Sequence, residues 1–500
     1  MSEDNKSYRQ MLKSSSIIGG ASVINILIGL FKIKVVAVLL GPAGIGFIGI
    51  LQNLMSMAAN ASAMGIGTVG TRQIAEAAAE DNQEAVAAAR RALFWGTMVL
   101  ATLGGLLVWL FREPLAATFL ADQSKSAWVG WLAVGVALAV ASSAQGSLLN
   151  GLRRITDLAK LSIYSSVFAT GLGIAAVWQW QEEGLLFFVI AVPFATFVLG
   201  HFYVSKLPKI NAAPTPFTEL KQQWKTLARL GFAIMVAGLA VTLGQLAVRT
   251  LIQNELGAEQ LGLFQAAWSI SMTYIGFVLG AMSTDYYPRL TAVIKDHAAT
   301  IRLVNEQTEI ALLLAGPILL AMLALSPWVL TLLYSPEFTP AAQILRWQIL
   351  GDVLKVMSWP LGFIILASGA SKTFLIFEST AMLIFCVFTW LSLDYLGIEA
   401  TGFGFFMMYL IYLPLVYFLA KYMMDFKWSI KVVRYFILLF AAAVCITITS
   451  NYDEIIGLVL GLALVVFFSV ANFLRLINIA EDLAIVRKLN KIFSRKQIKN

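Results

Sequence analysis

Long apolar stretches alternate with short polar ones along the whole chain. A helix that crosses a bilayer needs ~20 mostly apolar residues. Stretches of that length fall at about 14–39, 44–70, 92–111, 127–150, 158–180, 184–205, 229–253, 261–286, 308–334, 341–368, 373–396, 401–422, 431–449 and 455–474. The pattern predicts an all-α integral membrane protein of about 14 transmembrane helices. The segment 71–91 predicts a further Ala-rich polar helix from Thr71 to Arg91, read as a solvated connector. Pro208, Pro214 and Pro216 mark a linker at 206–228.

Composition agrees with the pattern. Of the 500 residues, 59% are hydrophobic and 13% charged, against roughly 25% charged in a soluble domain. Mean hydropathy is +0.79. Charge then sets the orientation. Arg112 and Lys125 are the basic residues of the outside loops, and the remaining outside segments are short and acidic, as in Glu182-Glu183 and Asp453-Glu454. Nearly all other Lys and Arg lie on the opposite side, which predicts that both termini are cytoplasmic. The net charge of +8 is therefore a topology signal and not a nucleic-acid signature. Met1–Lys13 is polar and mixed-charge, so no cleaved signal peptide is read there. Cys386, Cys445, His201 and His297 show no ligand spacing, and no metal or cofactor is expected.

A weak internal repeat divides the chain. Leu40-Gly41-Pro42-Ala43-Gly44-Ile45-Gly46-Phe47 matches Leu256-Gly257-Ala258-Glu259-Gln260-Leu261-Gly262-Leu263 at an offset of 216. Each copy sits between the first two spans of a six-span unit. Six is even, so the units would be parallel repeats about an axis along the membrane normal. The expected domains are a lobe at 1–205, a linker at 206–228, a second lobe at 229–424, two extra helices at 425–474 and a basic tail at 475–500.

Five cations interrupt the apolar stretches: Lys32, Lys34, Arg249, Arg346 and Lys355. Each costs at least ~2.5–3.5 kcal/mol in hydrocarbon by insertion scales, and their simplest use is to hold an anion. Lys32 and Lys34 are two residues apart and point about 200° apart on a helix. Asp352 and Lys355 share a face, continued by Trp359, and predict an ion pair that an anion or a proton could open. Glu378 and Asp285 are further in-span acids able to couple an ion. Gln52 and Asn53 add a polar lining. Arg346 lies on another face, nearer the outside, where it could equally snorkel to the interface.

Gly41-Pro42-Ala43-Gly44-Ile45-Gly46, Trp347-Gln348-Ile349-Leu350-Gly351-Asp352-Val353-Leu354-Lys355-Val356 and Pro288-Arg289-Leu290 resemble the Wzx-type polysaccharide flippases, in particular those of the enterobacterial common antigen lipid intermediate. These belong to the multidrug/oligosaccharidyl-lipid/polysaccharide exporter superfamily. The resemblance spans residues 10 to about 425. It implies two six-helix lobes around a cationic cavity and transfer of undecaprenyl-diphosphate-linked oligosaccharide, an O-antigen-like unit, to the outer leaflet by alternating access. It also implies membrane lipids as surroundings, with a polysaccharide polymerase and chain-length proteins as partners. By position, the family's basic residues fall on Lys34 and Arg249 and its span 10 pair on Asp352 and Lys355, whereas Asp285 replaces an uncharged residue. A cation-coupled multidrug exporter should have an acidic or apolar cavity instead. A membrane polymerase or glycosyltransferase should carry a sizeable catalytic outside loop, and none is present.

Overall fold

A computed structural model describes residues 3–79, 83–208 and 216–497. Within them the side chains of 3–16, 18, 79, 219, 226, 229–230, 233–234, 237, 281, 283–285, 371 and 478–497 lie outside the described set. The elements are α1 (Glu3–Ala63), α2 (Ile66–Ala79), α3 (Gln83–Leu110), α4 (Arg112–Phe119), α5 (Ser126–Gly151), α6 (Ile155–Trp180), α7 (Gly184–Ser205), α8 (Phe217–Glu255), α9 (Gly257–Val293), α10 (His297–Ala324), α11 (Ser326–Leu333), α12 (Ala341–Ala367), α13 (Ser371–Leu396), α14 (Glu399–Met424), α15 (Ile430–Tyr452) and α16 (Glu454–Gln497). No strand occurs among the described residues. In lipid every backbone N–H and C=O must be satisfied within the chain, and helices do this within one segment.

Eleven helical stretches among the described residues are long and apolar enough to cross a membrane. Two of them, Gly19–Ala63 and Ile155–Ser205, have 45 and 51 residues. At 1.5 Å per residue each would exceed a ~30 Å hydrocarbon core about twofold. Both are interrupted. The first kinks at Gly41 (φ 62°), the second at the single 3-10 turn Gln181–Glu183. The chain is thus a multi-pass all-α membrane bundle. Large apolar side chains such as Leu332, Trp178 and Phe31 lie on its exposed faces, as a lipid solvent permits.

One expectation about helix limits is corrected. The stretch 44–70 is not one helix, because Met64 (φ 44°) and Gly65 (φ 70°) break it. A Cβ at Gly65 would stand 2.8 Å from the Gly231 Cα, so α8 presses directly on the break. The Ala-rich segment 71–91 is helical at 71–79 and 83–91, with 80–82 outside the described residues. The linker at 206–228 is helical from Phe217 onward, with 209–215 outside the described residues.

The described chain divides into two compact units, Met1–Ala266 with Thr331–Thr339, and Ala267–Leu330 with Pro340–Asn500. In the first, Ile66, Ile74, Leu93, Leu149, Leu161 and Tyr203 form a core that joins α2, α3, α5, α6 and α7. The repeated motifs also meet in this unit. Gly41 and Gly257, equivalent by the offset, are both left-handed, at φ 62° and 86°. A Cβ at Gly46 would meet the Ala258 carbonyl and lie 2.9 Å from the Gly262 nitrogen; one at Gly262 would meet the Pro42 carbonyl. Three residues on in each copy, a Cβ at Gly49 would lie 2.6 Å from Gln265 Oε1. Small residues let these helices approach closely.

In the second unit α12 is buried along nearly its whole length. It packs against α10 and α14. Polar contacts tie the C-terminal pair α15–α16 together and onto the unit. Arg346 Nη2 donates to Glu454 Oε2 at 2.5 Å, Asn472 Nδ2 donates to the Leu313 carbonyl and the Tyr435 hydroxyl, and Arg475 pairs with Glu309 at 2.6 Å.

Candidate functional site

The second unit places its chemistry on α12. Asp352 is fully buried, and its Oδ2 accepts from Ser271 Oγ at 2.7 Å and Tyr274 Oη at 2.5 Å. Ser271 and Tyr274 are three residues apart and so share one face of α9. The expected contact with Lys355 is not made: among the described residues no ion pair within 4.0 Å joins them. The Lys355 ammonium instead lies 3.8 Å from Met272 Sδ and 5.7–5.9 Å from the rings of Tyr409 and Phe405. Both hydroxyls bind one oxygen, and among the described residues the buried Oδ1 accepts no hydrogen bond; the lysine side chain is directed elsewhere.

It turns into a cavity of about 290 Å3 lined by Lys355, Ser358, Trp359, Phe363, Glu378, Tyr409 and Tyr412. Glu378 accepts from Tyr412 Oη at 3.0 Å. Trp359 stacks on Tyr286 at 5.9 Å, and Tyr286 donates to the Pro360 carbonyl at 3.0 Å, which fixes α12 at its internal proline. One cation, one acid and several aromatic faces therefore share one space. The arrangement can offer Lys355 to an anion from outside the protein and ring faces to a sugar.

Arg346 does not reach that cavity lining. It is fully buried and bound to Glu454, so it anchors α16. The side chain of Asp285 lies outside the described residues.

The first unit holds the other cations. Arg249 is 3% exposed; its Nε donates to Gln265 Oε1 at 3.1 Å and its Nη1 to the Gln245 carbonyl at 3.0 Å. Gln245 Oε1 in turn accepts from Asn53 Nδ2 at 3.3 Å. Gln52, the preceding residue, is only half-buried. Lys34 Nζ donates to the Thr331 carbonyl at 3.0 Å. Lys32, which family position did not favour, sits 4.0 Å over the Phe188 ring and lines a cavity of about 470 Å3.

Sequence reading missed Ser271, Tyr274, Tyr409 and Tyr412, although the three-residue spacing in each pair was a usable signal. Nothing in the sequence pointed to Glu454 as the partner of Arg346, because 108 residues separate them.

Known proteins match this architecture. Lipid III flippases of Escherichia coli (strain K12) and Shigella flexneri are each 23% identical over 394 residues, covering 76% of this chain and 91% of theirs. Among solved structures, a lipid II flippase MurJ in an inward closed conformation superposes with TM-score 0.68 at 14% identity, covering 93% of this chain and 100% of that one. An inward-facing multidrug resistance transporter of the MATE family, MOP superfamily, superposes with TM-score 0.64 at 14% identity, covering 80% and 94%. At such identities these structures speak for the fold. The family model described as "Polysaccharide biosynthesis protein" matches residues 11–294, more than half of the chain, and the chain belongs to that family.

Proposed function

We propose that this protein is a flippase that carries a polyprenyl-diphosphate-linked oligosaccharide from the cytoplasmic to the outer leaflet of the bacterial inner membrane, without catalysing a reaction. The observation that carries the proposal is Lys355: a cation deep in an apolar helix, lining a cavity and in no ion pair within 4.0 Å among the described residues. A diphosphate offers the charge such a site lacks, and charge-assisted hydrogen bonds are the strong ones. A carrier of drug cations would present an acid there without the lysine.

The architecture we propose has fourteen passages. Each interrupted stretch counts as two, and α8, 39 residues long, adds one. Passages one to six and seven to twelve form two parallel-related lobes, at 1–205 and 229–424, with both termini cytoplasmic. The reciprocal approach of Gly46 to Ala258 and of Gly262 to Pro42 supports this relation, because a two-fold axis makes position i meet j while j meets i. Equivalent pairs meeting twice, at 46/262 and 49/265, fit parallel helices about an axis running along them.

In the cycle we propose, Lys355 draws in the diphosphate, and Arg249, Lys34, Gln52 and Asn53 are the candidates of the first unit for contact with substrate. Trp359 and the tyrosines meet sugar, and the polyprenyl chain stays in lipid. Glu378 is placed to reclaim Lys355 after release; Asp352 holds α9 against α12 through Ser271 and Tyr274 and is the second candidate for coupling an inward cation. The test uses proteoliposomes with lipid-linked oligosaccharide in one leaflet and a soluble glycosidase on the opposite side. Wild type should expose the sugar and Lys355→Gln should not, with Lys355→Arg retaining more. A proton gradient should speed wild type and leave Glu378→Gln unaffected. Equal transport by wild type and Lys355→Gln would overturn the reading.

A further inference from the structure

In the first unit the break between α1 and α2 leaves an apolar space. Met64 and Ile66, on either side of Gly65, wall a cavity of about 200 Å3 with Gly96 and Val99 of α3 and Trp224 and Ala228 of α8. The one polar group on these walls, the indole N–H of Trp224, donates to the Ala92 carbonyl at 2.9 Å. Gly96 lets that ring lie against α3, since a Cβ there would stand 3.3 Å from Trp224 Nε1. Gln73 Nε2 donates to the Gln223 carbonyl at 3.4 Å and ties α8 to α2. The walls are fixed by these ties, so the space between them is preformed.

The mouth of the cavity has two kinds of rim. On α3, Val99 is about half-exposed, and so are Trp95, Met98 and Leu103 around it, which is the surface of a lipid-facing helix. On α8, Lys221, Lys225 and Ala228 follow at spacings of four and three and share one face. All three are exposed. Ala228 lines the cavity; Lys225 stands about 4.5 Å before it along the axis and Lys221 about 10 Å, at 1.5 Å per residue. The order repeats on α3, where Arg90 and Arg91 precede Gly96 and Val99. Both helices put cations first and apolar lining after, as a headgroup layer lies over hydrocarbon. Trp224 stands between the two levels, the place tryptophan favours at a membrane interface.

These walls select an occupant. Water finds no polar partners in the cavity. A peptide would bury backbone groups with nothing to satisfy them. A lipid-linked oligosaccharide would bring sugar hydroxyls to walls whose one donor is already used. An anionic phospholipid needs an apolar slot for a chain and cations at the height of its phosphate, and basic residues near the surface attract it over neutral lipids. We propose that this cavity seats one acyl chain of an anionic phospholipid, with Lys221 and Lys225 holding its phosphate. The site belongs to the membrane face of the first unit and does not depend on what the protein carries.

The test offers the full chain, delipidated in detergent, phosphatidylglycerol or phosphatidylcholine with identical acyl chains. Retained lipids are counted by native mass spectrometry. Wild type should retain phosphatidylglycerol severalfold more than phosphatidylcholine. Lys221→Gln combined with Lys225→Gln should bring the two lipids level. Ala228→Phe and, separately, Val99→Phe should each lose one bound lipid of either kind. Both positions are exposed at the mouth, so the larger side chain enters the cavity from its open side and leaves the core of the unit untouched. Equal retention of the two lipids by wild type, a preference that survives loss of both lysines, or a full lipid count in both filled variants overturns the proposal. So does displacement of the retained phosphatidylglycerol by undecaprenyl phosphate at equal concentration, which would give the cavity to a polyprenyl chain instead.

Discussion

Gly262 is the sharpest test of the packing between the two sequence repeats. A Cβ there would fall on the Pro42 carbonyl and stand 2.9 Å from the Pro42 Cα. Ordinary contact begins near 3.4 Å, so α9 and the second half of α1 must part by at least half an ångström. The obstructing atoms are backbone and cannot rotate away. Overpacking costs typically ~1–3 kcal/mol, and a backbone obstruction belongs at the upper end, about 3 kcal/mol. Replacing a mid-helix glycine by alanine returns roughly 0.5–1 kcal/mol, which leaves Gly262→Ala about 2 kcal/mol less stable. Gly276→Ala on the same helix is the control, since a Cβ there meets nothing within 4 Å. It should gain the roughly 0.5–1 kcal/mol without loss. The two variants should differ by about 3 kcal/mol, or on the order of a hundredfold in thermal-inactivation half-life if the contact is absent from the unfolding transition state. The assay is loss of the monodisperse peak after heating in detergent. Gly46→Ala should behave like Gly262→Ala. The double variant should cost less than the sum, because one separation of the helices relieves both clashes. If Gly262→Ala is as long-lived as Gly276→Ala, the close approach is wrong and the argument for paired repeats falls with it.

Two further outcomes follow from the second unit. Tyr274→Phe and Asp352→Asn should be coupled in a double-mutant cycle by about 1.5–3 kcal/mol, the usual worth of a hydrogen bond to a charged group; zero coupling in unfolding measurements would remove the α9–α12 tie. Glu454→Gln should destabilise the protein by about 1–3 kcal/mol by leaving the buried Arg346 poorly paired, and Arg346→Met added to it should recover most of the loss. Heat resistance unchanged by Glu454→Gln would mean the anchor contributes nothing.

The sequence by itself determined the class of this protein. Apolar runs of bilayer length, with basic residues massed on one side, leave little but a helical membrane bundle, because hydrocarbon admits no unsatisfied backbone. It also pointed to a repeat, whose leading glycines, Gly41 and Gly257, both take positive φ, and it singled out the in-span cations by their cost in lipid. It did not settle the partner of each cation. Asp352 and Lys355 share a helix face by spacing, yet the carboxylate belongs to Ser271 and Tyr274 and the ammonium to the cavity. Helical periodicity fixes only the angle at which a side chain leaves its own helix. What stands in that direction is set by other helices, often a hundred residues away, as with Arg346 and Glu454. The same limit applies to Lys32 and Lys34: opposite faces follow from a two-residue step, but only the packing of α5, α6 and α7 against α1 decided which face meets a cleft lined with hydroxyls and which meets the Thr331 carbonyl.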